Sequence, residues 1–285
     1  MGYNNKNEKN NLYSIRCSTS TPQLVIILVN TSLITDSPDE DNRKLEIASS
    51  HINKILNTVI CKNFDGEFPR NRFYFYVISY GKDVKIELNG FLRELDEHPL
   101  RIEFRKRIID DGAGGKIVVD FQYPVWVDLS LDKGNYNTLY RAIKMSSNII
   151  NQWKDSDIFY FDEYICNKSL APIVLNITYE NILSDDYEKV DKVLQELKSI
   201  DFPEGNPLFY NLLITNDITF RNFPLVEEGL YNNSLLNLSS IIPYNHQTRK
   251  PYLRSYTQEP LEYIGEIRGF TNCCDSAINI ITANL

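Results

Sequence analysis

The chain has 285 residues, 42% of them hydrophobic, enough for one large core or two small ones. Lys plus Arg is 30 against 38 for Asp plus Glu, so the formal net charge is −8, which argues against a general binder of nucleic acid or anionic membrane. No window approaches the roughly 18 apolar residues of a membrane span.

The chain opens on Met1-Gly2, but Lys6 stands where a myristoylation start wants Ser or Thr. No charged segment followed by an apolar one reads as a secretory signal. Five cysteines, Cys17, Cys61, Cys166, Cys273 and Cys274, are odd in number and irregularly spaced, which is not a disulfide framework. The expected location is the cytoplasm. His51, His98 and His246 lie far apart, and none pairs with a Cys at a metal-ligand spacing. Residues 1–12, rich in Asn and Lys, read as a disordered arm before one domain over 13–285.

The first strong signal is QLVIILVNTSLI over 23–34, a Val- and Ile-rich run that breaks into the small polar residues Asn30, Thr31 and Ser32. It predicts a strand buried on both faces of a parallel sheet, with its polar stop at the carboxyl end, where doubly wound sheets take ligands. Ser37, Pro38 and Glu40 have the shape of a capping box with Pro at the first helical position. Leu45, Ala48, Ile52, Ile55, Leu56 and Val59 then repeat at helical spacing. RFYFYVISYG over 72–81 predicts a second buried strand, and 84–92 a third. Residues 93–99 have no readable alternation. Strands over 100–109 and 116–129, joined by DDGAGG, predict an extra β-hairpin around 100–129.

Thr138 opens a helix burying Leu139, Ala142, Ile143, Ile149, Ile150 and Trp153. A polar, aromatic loop over 155–170 follows. PIVLNITY over 172–179 is another strand ending in polar groups, Thr178 and Tyr179. Ser184 starts a helix burying Val190, Val193, Leu194 and Leu197. A strand over 208–215, a short helix over 235–242 and a final helix with Cys274, Ala277, Ile278 and Ile281 inward complete the chain. Alternating strands and helices predict a three-layer, doubly wound (Rossmann-like) α/β domain with a mostly parallel central sheet flanked by helices.

Three polar clusters thus gather at one sheet edge, and their order resembles a von Willebrand factor type A (vWA) domain. That family carries DxSxS after its first strand, a Thr in a Gly-Thr loop and an Asp after the fourth strand, which together bind a divalent cation at the metal-ion-dependent adhesion site (MIDAS). DDGAGGKIVVDFQYPVWVDLSLDKGNYNTLYRAI, APIVLNIT and IRGFTNCCDSAINIITANL resemble segments of a bacterial, cytoplasmic branch, and the resemblance spans about residues 23–283. The cation site is degenerate. Asn30 and Ile34 replace its Asp and second Ser, Ser32 and Thr138 match, and Tyr179-Glu180 replaces the Asp-Gly turn. Mg²⁺ is usually held through one or two carboxylates, and Asn30, Ile34 and Tyr179 supply none. No cofactor is expected. Asn30, Ser32 and Thr138 are expected to hydrogen-bond one another and cap loop backbone.

Other features read as scaffold. The Asp110–Gly115 segment lacks a phosphate-loop GK[ST] and calcium-loop ligands, and reads as a hairpin turn. The acidic run over 36–41 reads as a helix start favoured by the macrodipole. Cys273-Cys274 is either a redox pair or one thiol packed inward beside one facing a neighbour. Phe159, Tyr160, Phe161 and Tyr164 either anchor a partner or pack over the sheet edge. No nucleophile motif or placed acid/base pair is visible, so no enzymatic activity is expected.

The resemblance implies a non-enzymatic interaction module, a scaffold or adaptor in a bacterial signalling or defence assembly. Its docking candidates are Asn30, Thr31, Ser32, Tyr136, Thr138, Tyr179 and Glu180. The implied partner is another protein, such as a neighbouring phosphatase of the 2C type or a serine/threonine kinase. The alternatives are a metal-dependent domain holding Mg²⁺ or Mn²⁺ through Glu180 or Asp36, and an α/β enzyme acting on a nucleotide or phosphate substrate.

Overall fold

A computed structural model describes residues 12–32, 38–131, 138–155, 160–161, 164–165, 168–179, 184–215, 223–224, 234–249 and 267–285. The first strand, β1 (Gln23–Asn30), is buried along its whole length, and helix α1 (Pro38–Lys62) follows. A small antiparallel pair, β2 (Phe64–Asp65) and β3 (Phe68–Pro69), leads to β4 (Phe73–Tyr80), β5 (Val84–Phe91) and the short helix α2 (Leu92–Glu97). The hairpin strands β6 (Arg101–Asp110) and β7 (Lys116–Val125) precede α3 (Leu139–Asp155). Strand pair β8 (Tyr160–Phe161) and β9 (Tyr164–Ile165) precedes β10 (Ile173–Thr178), α4 (Ser184–Lys198) and β11 (Leu208–Leu213). Helices α5 (Ser234–Leu238) and α6 (Tyr244–Arg249), strand β12 (Phe270–Thr271) and helix α7 (Cys274–Ile281) complete the described chain, with a 3₁₀ turn at Thr282–Asn284.

The central sheet runs β12-β11-β10-β1-β4-β5. Its pairings are parallel except for β4 with β5, which are joined by a tight turn and are antiparallel. The expected three layers are present. Odd-numbered residues of β1 (Val25, Ile27, Val29) pack with α1, α2 and α7, while even-numbered ones (Leu24, Ile26, Leu28) pack with α3, α4 and Leu238 of α5. That split follows from the two-residue period of a strand. It explains why β1 reads as an unbroken apolar run rather than an alternating one. Each fully buried Leu or Ile contributes about 1.5–3 kcal/mol of transfer free energy.

Several expectations shift at their ends. The opening strand stops at Asn30, with Ser32 in a separate bridge. The strand expected to reach 129 ends at Val125, because Asn53 of α1 takes over the backbone there. Its Oδ1 accepts the Trp126 and Val127 N–H groups at 2.8 and 3.1 Å, and its Nδ2 donates to the Val127 carbonyl at 2.8 Å. Leu92, expected to end the third strand, instead starts α2 together with residues 93–97, unreadable by alternation; the helix is entered by a bond from the Phe91 N–H to the Glu94 carboxylate at 2.8 Å. The helix expected over 235–242 ends at Leu238, where Ser239 Oγ turns back to the Leu235 carbonyl at 2.9 Å. Of the arm expected to be disordered, Leu12 alone is described, and its carbonyl accepts from Asn245 Nδ2 at 2.8 Å. Ser37, and the side chains of the aromatic loop over 159–164, lie outside the described residues.

Candidate functional site

In the sheet order the chain leaves β1 toward β4 on one side and reaches β10 on the other. This places the topological switch point between the carboxyl ends of β1 and β10. The residues expected there converge. Asn30 is the last residue of β1, buried, and its Oδ1 accepts from both the Ser32 N–H at 3.0 Å and the Ser32 hydroxyl at 2.7 Å. Thr31 is held to β4, its N–H reaching the Tyr80 carbonyl at 2.8 Å. Just past β10, the half-buried Tyr179 donates its hydroxyl to the Asn30 carbonyl at 2.8 Å and lies 3.3 Å from the Ser32 carbonyl. The phenol therefore bridges the crevice.

Thr138 corrects one expectation. It is buried at the start of α3, and its hydroxyl donates to the Gly81 carbonyl in the β4–β5 turn at 2.7 Å. Mutual bonding thus holds for Asn30 with Ser32, while Thr138 ties the α3 start to the neighbouring turn. Ile34, Asp36, Tyr136 and Glu180 lie outside the described residues.

Among the described residues of the site, the donor set suits hydrogen bonding better than a hard divalent cation. Asn30, Ser32, Thr138 and Tyr179 offer neutral oxygens, and Asn30 Oδ1 already accepts two bonds. Among the described residues no group of three or more His, Cys, Asp or Glu side chains could hold a metal ion.

Two features escaped the sequence reading. Asp41, on the first turn of α1, is buried at 1% exposure. Its spacing to Leu45, Ala48 and Ile52 places it on the helix's inward face, a signal masked by the simpler reading of an acidic helix start. The second is a buried polar chain. Tyr80 donates its hydroxyl to Asn176 Oδ1 at 2.8 Å, and Asn176 Nδ2 donates to Asn211 Oδ1 at 2.8 Å. Asn211 Nδ2 then donates to the Leu235 carbonyl at 3.0 Å and to Ser239 Oγ at 2.9 Å. Asn176 and Asn211 face each other in the β10–β11 register, a pairing that no local sequence signal displays.

The remaining candidates behave as scaffold. Asp111 Oδ1 accepts the N–H groups of Ala113 and Gly115, each at 2.8 Å, and these bonds lower its carboxyl pKa. Gly112 and Gly114 have φ of 79° and 89°, conformations that favour glycine, so the segment is a hairpin turn. Cys274 packs inward, its thiol pushed up to about 12 by burial, beside a half-buried Cys273. A thiol so protonated is a poor nucleophile. Among the described residues no helix is long and apolar enough to cross a membrane.

No protein-family model matches the chain, and no curated protein matches it. Several solved structures follow a similar course. Proximal thread matrix protein 1 from the mussel byssus is 12% identical with a TM-score of 0.41, over 94% of this chain and 48% of that one. BatB from Bacteroides thetaiotaomicron is 13% identical with a TM-score of 0.34, over 74% and 75% of the two chains. The ArnB paralog VWA2 from Sulfolobus acidocaldarius is 9% identical with a TM-score of 0.32, over 68% and 35%. The chain spans about half the length of the mussel protein and about a third of the ArnB paralog VWA2.

Proposed function

We propose that this chain is a non-enzymatic protein–protein interaction module of the vWA type, a scaffold or adaptor. Its partner docks on the sheet's carboxyl edge around Asn30, Thr31, Ser32, Thr138 and Tyr179 without a bridging metal. The observation that supports this reading most is the Tyr179 hydroxyl on the Asn30 carbonyl at 2.8 Å. A crevice bridged by a side chain leaves a polar, aromatic rim, and Tyr is a frequent anchor in protein interfaces. The bacterial, cytoplasmic setting and a phosphatase of the 2C type or a serine/threonine kinase as partner rest on the sequence resemblance.

The metal-dependent reading has one observation in its favour, the buried carboxyl of Asp41. The helix that follows β1 starts over the same sheet edge, so Asp41 belongs to this end of the molecule.

Calorimetric titration with Mg²⁺ and Mn²⁺ separates the two. No saturable heat is expected with a Kd below about 1 mM. Saturable binding that disappears in Thr138→Ala overturns the metal-free reading. Docking itself is tested by native co-purification. The wild type is expected to retain a protein partner that Tyr179→Ala loses. A wild type that emerges without any partner, or a Tyr179→Ala variant that keeps it, overturns the docking assignment.

A further inference from the structure

The β6–β7 hairpin forms a sheet of its own, and among the described residues no third strand pairs with either edge. Its outer face stands in solvent, with Phe104 76% exposed, Ile108 68% and Val118 63%. A long, exposed edge with apolar neighbours is a template for another strand.

The hairpin's own hydrogen-bond pattern shows which groups face outward. The Asp111 N–H donates to the Gly115 carbonyl at 3.1 Å, and the register continues Asp110↔Lys116, Ile109↔Ile117, Ile108↔Val118. Bonded and non-bonded pairs alternate along an antiparallel ladder. Lys116, Val118 and Asp120 therefore sit at non-bonded positions, and their N–H and C=O groups point away from β6, along the free edge of β7.

We propose that the β7 edge pairs with the β7 edge of a second copy of this chain, antiparallel and centred on Val118, forming a continuous four-stranded sheet across a two-fold axis. In this register Lys116 lies opposite Asp120 of the other copy, at both ends, and Val118 lies opposite Val118. All three pairs use outward-pointing backbone groups, which gives six inter-chain hydrogen bonds. The side chains agree row by row. Within each hairpin Lys106 is opposite Asp120 and Asp110 is opposite Lys116. Across the joined sheet the outer rows read Lys106, Asp120, Lys116, Asp110, alternating in sign, and the central row reads Ile108, Val118, Val118, Ile108. Opposite charges and β-branched pairs facing each other stabilise a ladder, and like charges destabilise it.

Neighbouring registers fail. A shift of two residues sets one charge against Val118, and a shift of four sets Lys116 against itself or Asp120 against itself. The opposite edge is less suited, because Arg105, Lys106 and Arg107 are three consecutive cations in β6 and its self-pairing gathers six. Pro124 has no N–H to donate, so pairing is confined to the distal part of β7. Lys116 and Asp120 make no ion pair among the described residues, so both charges are available to a second copy.

Sedimentation of the full chain over a concentration series tests the pairing. The wild type is expected to dimerise, and Lys116→Asp and Asp120→Lys are each expected to weaken the dimer at least about tenfold. Mixing those two variants restores Lys-to-Asp opposition at both ends, so the equimolar mixture is expected to regain the dimer. A wild type that stays monomeric at roughly 200 µM, single variants that dimerise as the wild type does, or a mixture that stays monomeric each overturns the proposal. The substitutions lie at exposed positions of a hairpin that pairs with no strand of the central sheet, so failure here is distinct from failure of rim docking.

Discussion

Lys198 ends α4 with its Nζ on the Leu238 carbonyl at 2.8 Å, where the positive Arg268 also donates, to the Asn237 and Ser239 carbonyls. Burial, helped by Arg268 and opposed by Asp191, brings its pKa down to about 8 from 10.5. Between those values the unfolded chain holds more protons than the folded one, so this group makes stability rise as pH climbs from about 8 to about 10.5. Urea unfolding across that window is expected to show the rise in the wild type and to lose this component in Lys198→Met. Asn176 bears on stability differently. Asn176→Ala removes the donor that satisfies the buried Asn211 Oδ1 and an acceptor of the Tyr80 hydroxyl, at a cost of about 1–3 kcal/mol. In a double-mutant cycle, adding Tyr80→Phe is expected to cost less than it does alone, because the bond to Asn176 Oδ1 is already gone. Equal costs in both backgrounds contradict the chain of bonds. These residues also mark where the sequence stopped speaking. Asn30, Ser32, Thr138 and Tyr179 could be found because strand ends and helix starts locate them. The Asn176–Asn211 contact depends on the register of two strands separated by a helix, which neither composition nor periodicity encodes.

Among the elements, the long helices and buried strands were legible because their apolar spacing is carried by many residues. Short elements were not. Six residues of α2 give less than two turns of pattern, and the end of α5 is set by the Ser239 and Ser240 hydroxyls, Ser240 Oγ accepting the Phe209 N–H at 2.9 Å. Strand β12 is two residues long and depends on close approach. Gly269 lies against the Tyr210 ring so tightly that a methyl group would overlap it, and the Gly269 carbonyl accepts the Asn211 N–H at 3.0 Å. Gly269→Ala is expected to separate β12 from β11 and lower the unfolding midpoint. The expected loss is about 1–3 kcal/mol, as for other overpacked cores. An unchanged midpoint in denaturant means that β12 can move away without loss.

At the scale of the whole molecule, the two proposed surfaces are built from different elements. The carboxyl edge of the sheet carries the rim around Tyr179, and the hairpin, fastened by Asn53 to the middle of α1, carries an unpaired edge. The proposed partner docking and the proposed self-association can therefore be tested by separate substitutions. At the other end of β1 the chain closes on itself. The Cys17 N–H donates to the Asn284 carbonyl at 2.9 Å, Asn284 Nδ2 donates to Gln23 Oε1 at 2.7 Å, and Gln23 Nε2 reaches the Ala171 carbonyl at 2.5 Å. The eight residues of β1 hold that knot about 25 Å from the rim. A linker or surface attachment placed beside this knot therefore holds the molecule by its base. Immobilised there, on a sensor chip or a bead, it presents Tyr179 outward to whatever flows past.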